Sequence, residues 1–121
     1  MPNPFTIIAR LKSISFALAG IATMLRTQHN AWIHLAATIA VIAAGLWFQI
    51  SSGEWVAVVL AIVVVWMAEG LNTAFELLCD VASPQFHPLV KQAKDVAAAA
   101  VLIAAVGAVV IAALIFWPRL F

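Results

Sequence analysis

The chain has 121 residues, of which 66% are hydrophobic and 9% charged, with a mean hydropathy of +1.13. A water-facing surface wants roughly 25–35% charged residues, so a soluble fold around one core is excluded and the chain reads as a small, single-domain integral membrane protein. The net charge of +1 argues against nucleic-acid binding, and the single Cys79 excludes a disulfide framework or a Cys-rich metal site.

Residues 4–27 read as a helix lying on the membrane surface. Ile7, Leu11, Ile14, Leu18, Ile21 and Leu25 recur at alternating spacings of four and three, an amphipathic stripe. Thr6, Lys12, Ser13, Thr23 and Arg26 lie opposite, with Phe5 and Phe16 among them. A cleaved leader is the competing reading, because Arg10 and Lys12 precede an apolar run containing Ala17-Leu18-Ala19. The expectation is a retained helix.

The first span is expected over residues 31–50, interrupted only by His34, Thr38 and Gln49. At 1.5 Å per residue such a stretch suits a hydrocarbon core of about 30 Å. Trp32 and Trp47 near its ends fit the interfacial preference of indole. Ser51-Ser52-Gly53 is expected to turn the chain. A second helix should cover residues 54–82, although its purely apolar part runs only from Val56 to Ala68. Ser83-Pro84 ends it, and His87-Pro88 delays the next. The third span, residues 89–117, contains the apolar run Val96–Trp117 and is expected to close at Pro118. Three spans enclose little volume, so neighbouring copies are expected to help build any site.

Arg10, Lys12, Arg26, Lys91 and Lys94 fall on one side of this arrangement and Arg119 on the other. The positive-inside rule then puts the N-terminus and the 83–95 segment in the cytoplasm of a multi-pass inner-membrane protein.

The chemistry is concentrated on the second span. Glu69, Asn72, Glu76 and Asp80, with Thr73, share one helical face about 100° wide. An ionised carboxylate in hydrocarbon costs several kcal/mol unless it is paired, hydrated or bound to a cation. Three stacked acids cannot satisfy one another, so a positive partner is expected: a divalent metal, or Lys94 of the Lys91-Gln92-Ala93-Lys94-Asp95 segment. Magnesium takes oxygen ligands, one or two carboxylates plus substrate phosphates. A lysine is a mobile point charge for phosphoryl oxygens, and a further carboxylate could accept the proton of a lipid hydroxyl. The structural alternative is that the acids line a helix contact or reach interfacial water. His29, His34 and His87 read as packing or loop residues. The rival of a different class is a non-enzymatic membrane protein or cation carrier. A carrier needs polar groups continued across the bilayer, whereas these acids cluster at one end.

Glu69-Gly70-Leu71-Asn72-Thr73-Ala74-Phe75-Glu76, then Asp80, Phe86-His87-Pro88-Leu89 and Ala93-Lys94-Asp95 before an Ala-rich helix, together resemble the small trimeric prokaryotic diacylglycerol kinases. Ser15-Phe16-Ala17, Gly20-Ile21, Asn30, His34 and Glu54-Trp55 are more similar to the undecaprenol kinase branch. The resemblance implies ATP-dependent phosphorylation of a membrane lipid alcohol, undecaprenol or diacylglycerol, at a site shared within a homotrimer. It implies Glu69 as the proton acceptor in contact with the lipid, Glu76 and the residue at Gln28 as Mg2+ ligands, and Asn72, Lys94 and Asp95 at the phosphates. Gln85, Phe86 and His87 match the nucleotide loop, Phe16 matches a nucleotide position on the first helix, and Gly20 and Ala98 match lipid-side positions. Asp80 and Arg10 stand in support. Gln28 departs from a usual Glu, Gln85 from a common acid, and Arg10 is one residue out of register, with Ala9 at the family's position. A neutral Gln28 removes one negative charge and is expected to lower metal affinity.

Overall fold

The computed structural model describes residues 5–121 and consists of four helices: α1 (Ile7–Thr27), α2 (His29–Trp47), α3 (Ser52–Ala82) and α4 (Pro88–Leu120). The all-helical expectation and the helix order are met; Pro4, the first residue of the expected surface helix, lies outside the described residues. All four helices are long and apolar enough to cross a membrane, α1 included.

Thr6 starts α1 by accepting a hydrogen bond at its Oγ1 from the N–H of Ala9. The break between α1 and α2 is one residue wide. Gln28 has extended backbone angles (φ −121°, ψ 116°) and serves as the C-cap of α1 and the N-cap of α2. The Trp32 indole then donates back to the carbonyl of Leu25 at 2.7 Å, tying the first turn of α2 to the end of α1.

The turn between α2 and α3 differs from the expected one. α2 stops at Trp47, and Gln49, not Gly53, takes the left-handed conformation (φ 51°) that reverses the chain. Gly53 is inside the first turn of α3. The reason is a capping box: Ser51 Oγ accepts from the N–H of Glu54, while Glu54 Oε1 accepts from the N–H of Ser51. These bonds satisfy donors that a helix start otherwise leaves open, so the Ser51-Ser52-Gly53 run begins a helix instead of turning the chain.

α3 packs chiefly along α4, next on α2, and only slightly on α1. At the end away from the polar stripe, Ile50, Val58 and Ile115 form the buried core, flanked by Val41, Phe48, Trp55 and Phe116. α4 does not close at Pro118 but runs through it to Leu120. Pro118, two residues before the helix end, leaves the Leu114 carbonyl without its backbone donor, and the last turn is braced by Arg119, whose Nη1 donates to the carbonyl of Ile115 at 2.6 Å. At the other end Pro88 occupies the first turn of α4, and His87 Nδ1 accepts from the N–H of Leu89.

Outward faces of all four helices remain apolar and uncovered, with Leu18, Trp47, Leu71, Ile103 and Leu114 among the exposed residues. That distribution matches a lipid solvent, in which no apolar side chain need be hidden. Cys79 is buried.

Candidate functional site

Thirty-one residues of unbroken helix carry the polar stripe of α3, and the neighbouring elements divide it into three environments. Glu69 is fully buried at 0% exposure, and Asn72 and Thr73 are also buried. Glu76 is partly covered and Asp80 is exposed. The stripe therefore passes from the protein interior to the open end of the helix within three turns.

Glu69 meets α2. Its Oε2 lies 3.2 Å from His34 Nε2, whereas its Oε1 is buried and has no hydrogen-bond partner among the described residues. Thr73 Oγ1 donates to the Glu69 carbonyl at 2.8 Å, so the Thr of the Asn72-Thr73 pair is turned inward onto its own helix. Beside the pair, the Trp66 indole donates to Thr38 Oγ1 at 2.9 Å, and Thr38 donates to the carbonyl of His34 at 2.7 Å.

Two turns further along, Glu76 meets the α1–α2 break. Gln28 Nε2 donates to Glu76 Oε2 at 2.9 Å, and Asn72 Nδ2 approaches Oε1 at 3.5 Å. The Asn72 carbonyl oxygen Oδ1 is buried without a partner among the described residues. An extended Gln28 between two helices is what brings residues 48 positions apart together. The arrangement clusters one carboxylate and two amides, all potential oxygen donors, at one end of the bundle. No group of three or more His, Cys, Asp or Glu side chains converges among the described residues.

The remaining expected site residues are not gathered around these acids within one chain. Lys94 is half-buried but forms no ion pair or hydrogen bond among the described residues, and Asp95 is paired with Lys91 at 2.7 Å on the exposed face of α4. The positive partner expected opposite the stripe is thus not supplied by Lys94 inside a single chain; histidine and neutral amides stand there instead. Phe16, Gly20, Arg10 and Ala98 are exposed, as are Gln85, Phe86 and His87. Gly20 has open space where a Cβ would stand. The exposed set lies on surfaces that a neighbouring copy or a ligand could cover.

His34 is the residue that reading the sequence undervalued. A lone histidine in an apolar run carries no periodic signal that separates packing from function, and its partner is 35 positions away. The available signal was that both polar interruptions of the α2 run ahead of Gln49, His34 and Thr38, are four residues apart and therefore on one face.

Between α2, α3 and α4 an apolar cleft of about 300 Å3 is lined by Ile33, Ala37, Val41, Val65, Ala105 and Val109 among others, with His34 and Thr38 as its polar members. A second apolar hollow, on the outer side of α3 and α4, includes Asn72 with Leu71, Phe75 and Ala97.

Residues 15–116 match the family model described as prokaryotic diacylglycerol kinase. The chain is 41% identical over 109 residues to the undecaprenol kinase of Bacillus subtilis (strain 168), covering 90% of this chain and 89% of that one. It is 37% identical over 111 residues to a diacylglycerol kinase of Synechocystis, covering 91% of this chain and 63% of that one. Against the diacylglycerol kinase of Escherichia coli (strain K12) it is 33% identical over 96 residues, 74% of this chain and 79% of the other. These relatives are all named as lipid kinases.

Proposed function

The chain belongs to the prokaryotic diacylglycerol kinase family, and from that premise we propose that it is an ATP- and magnesium-dependent kinase whose preferred substrate is undecaprenol. The observation that carries this reading is the division of one helix face into a fully buried Glu69 and, two turns away, a Glu76 flanked by amide groups. The two acids suit different work: one sheltered from water for proton transfer, the other at a mouth that a nucleotide can reach.

Glu69 is the proton acceptor for the lipid hydroxyl. Glu76 would hold Mg2+ with amide oxygens of Gln28 and Asn72; the unpartnered Asn72 Oδ1 and the all-oxygen donor set fit a hard cation. When bound, the ion neutralises charge on the phosphoryl oxygens. Lys94 supplies a second positive charge to the same oxygens, Asp95 orients it or the nucleotide, and Gln85, Phe86 and His87 border the nucleotide. Phe16 approaches the nucleotide from α1, Gly20 and Ala98 leave room for the lipid, and Asp80 and Arg10 stand in support. No glycine-rich phosphate loop is present in the sequence, so positioning and charge neutralisation by side chains carry the catalysis.

A homotrimer completes this site. Supporting it are the exposed positions of Phe16, Asp95 and Ala98 and the uncovered apolar faces of the helices. α1 lies along the inner leaflet of the bacterial inner membrane, with Arg10, Lys12, Arg26, Lys91 and Lys94 on the cytoplasmic side. Undecaprenol is favoured over diacylglycerol by the higher identity to the relative that bears its name.

Transfer of labelled γ-phosphate from ATP by purified protein, with undecaprenol and diacylglycerol offered in the same micelles, tests the proposal. Label appearing mainly in undecaprenyl phosphate is the expected result. Label mainly in phosphatidic acid overturns the substrate, and label in neither lipid overturns the kinase.

A further inference from the structure

The two oxygens of Glu69 are not equivalent. Oε2 has His34 Nε2 at 3.2 Å, while Oε1 is equally buried and bare. A buried, unpartnered carboxylate oxygen is costly. A fold keeps one where another molecule supplies the missing donor, and a lipid hydroxyl is such a donor.

We propose that His34 is a positioning residue for Glu69: it donates Nε2–H to Oε2, fixes the plane of the carboxylate, and so aims Oε1 at the hydroxyl of the lipid. The inference deepens the proposed function and rests on Glu69 as proton acceptor. The imidazole of His34 meets the Trp66 ring in a T-shaped contact, 6.3 Å between centroids and 68° between planes, and the Trp66 indole is tied to α2 through Thr38, which donates to the His34 backbone carbonyl. The imidazole also lines the apolar cleft between α2, α3 and α4, so it stands between space for a hydrocarbon chain and the reacting carboxylate. To donate from Nε2, a neutral imidazole carries its proton there and leaves Nδ1 bare.

In the transfer step the lipid hydroxyl oxygen bonds to the γ-phosphorus of ATP. The bond from that phosphorus to the bridging oxygen breaks, and its electron pair leaves with ADP. The hydroxyl proton passes to Glu69 Oε1. His34 keeps its proton on Nε2 throughout and touches no reacting atom. A carboxylate turned away from its acceptor geometry loses rate without losing nucleotide affinity, and misplacement by about 1 Å can cost on the order of 100-fold.

Two measurements on the full-length protein test this. In micelles without nucleotide or lipid, 15N NMR of histidine-labelled protein should show His34, identified by its loss in His34→Gln, as the Nε2-protonated tautomer. Glu69→Gln should shift the His34 resonances and leave those of His29 and His87 in place. A His34 signal indifferent to Glu69→Gln overturns the proposal whether or not the chain is a kinase. In the lipid kinase assay, His34→Leu should lower kcat by about 10–100-fold with KM for ATP unchanged. His34→Gln, whose amide N–H reaches the same place, should recover most of that loss. Full turnover in His34→Leu, or no recovery in His34→Gln, overturns the role of His34 while leaving the kinase standing. A wild-type chain that phosphorylates no lipid alcohol instead removes the reading of Glu69 on which the role is built.

Discussion

Arg119, near the last residue of α4, grips Glu54, in the first turn of α3, with both prongs of its guanidinium: Nη1 to Oε2 at 2.8 Å and Nη2 to Oε1 at 2.7 Å. The same Glu54 oxygen accepts from the N–H of Ser51, so one carboxylate caps a helix and pairs with another. Both side chains are about three-tenths exposed or less, at 30% and 26%. The fork geometry fixes the pair in a single arrangement. Arg119→Gln and Glu54→Gln should each lower the thermal midpoint in micelles, more at low salt than at high salt. The exchange Glu54→Arg with Arg119→Glu should recover part of the loss but not the cap. A midpoint unmoved by Arg119→Gln would show that the contact adds no stability.

The start of α3 can be tested separately from that pair. Ser51→Ala removes the side chain that accepts from the Glu54 N–H, and loss of such a cap costs about 0.5–2 kcal/mol. Denaturation monitored by far-UV circular dichroism measures it. Ser51→Asp, which restores an acceptor, should return most of the difference.

Gln49 holds a left-handed backbone angle, φ 51°, which L-residues adopt at a cost of about 1–2 kcal/mol. Gln49→Gly is expected to stabilise the protein by up to about 1 kcal/mol, the remainder being offset by the greater freedom of glycine in the unfolded chain. Gln49→Val should destabilise it, because β-branching makes the same angle harder to reach. Equal stability of the Gly and Val variants would refute the assignment of strain to this turn.

Close packing of α2 against the start of α3 depends on Gly45. A Cβ there would stand 2.6 Å and 2.8 Å from two ring carbons of Trp55 and 3.2 Å from Ile50. The indole, half-buried against the Ile50–Val58–Ile115 core, would have to shift to make room. Gly45→Ala should cost about 1–3 kcal/mol and shift the fluorescence of Trp55, measured in a variant whose other four tryptophans are replaced by phenylalanine.

For the proposed kinase, Glu69→Gln should lower kcat by about 100-fold or more, the range typical of a lost general base. Gln28→Glu places a second acid against Glu76 and should reduce the Mg2+ concentration needed for half-maximal turnover. It should also weaken stability when magnesium is absent, since two carboxylates then face each other where an amide now donates at 2.9 Å. A magnesium titration of turnover and a thermal melt in chelator read the two effects independently.

Much of this was legible in the residues. Long apolar runs announced the helices, and the period of Glu69, Asn72, Glu76 and Asp80 put them on one face before any coordinates. Local competition hid the rest. Ser51-Ser52-Gly53 carries turn residues, but the Glu54 that follows makes a cap out of them. Pro118 looks like a stop, yet the helix continues through it, with Arg119 bracing the last turn. The pairings of His34 with Glu69 and Gln28 with Glu76 span 35 and 48 positions, and no local pattern encodes which polar groups meet across helices. Charge demands a metal or Lys94 opposite the acids; within one chain His34 meets Glu69, and Gln28 and Asn72 meet Glu76.

The Glu54–Arg119 grip has one more consequence. α3 and α4 are joined by the chain at residues 83–87 and by the two-pronged Glu54–Arg119 ion pair at the opposite end, which closes them into a ring. α1 and α2 join that ring through a short turn, through Val41 and Phe48 packed on the core, and through polar contacts of Gln28 and His34. The half that holds Gln28 and His34 is thus fastened to this closed pair less extensively than the pair's own two helices are to each other.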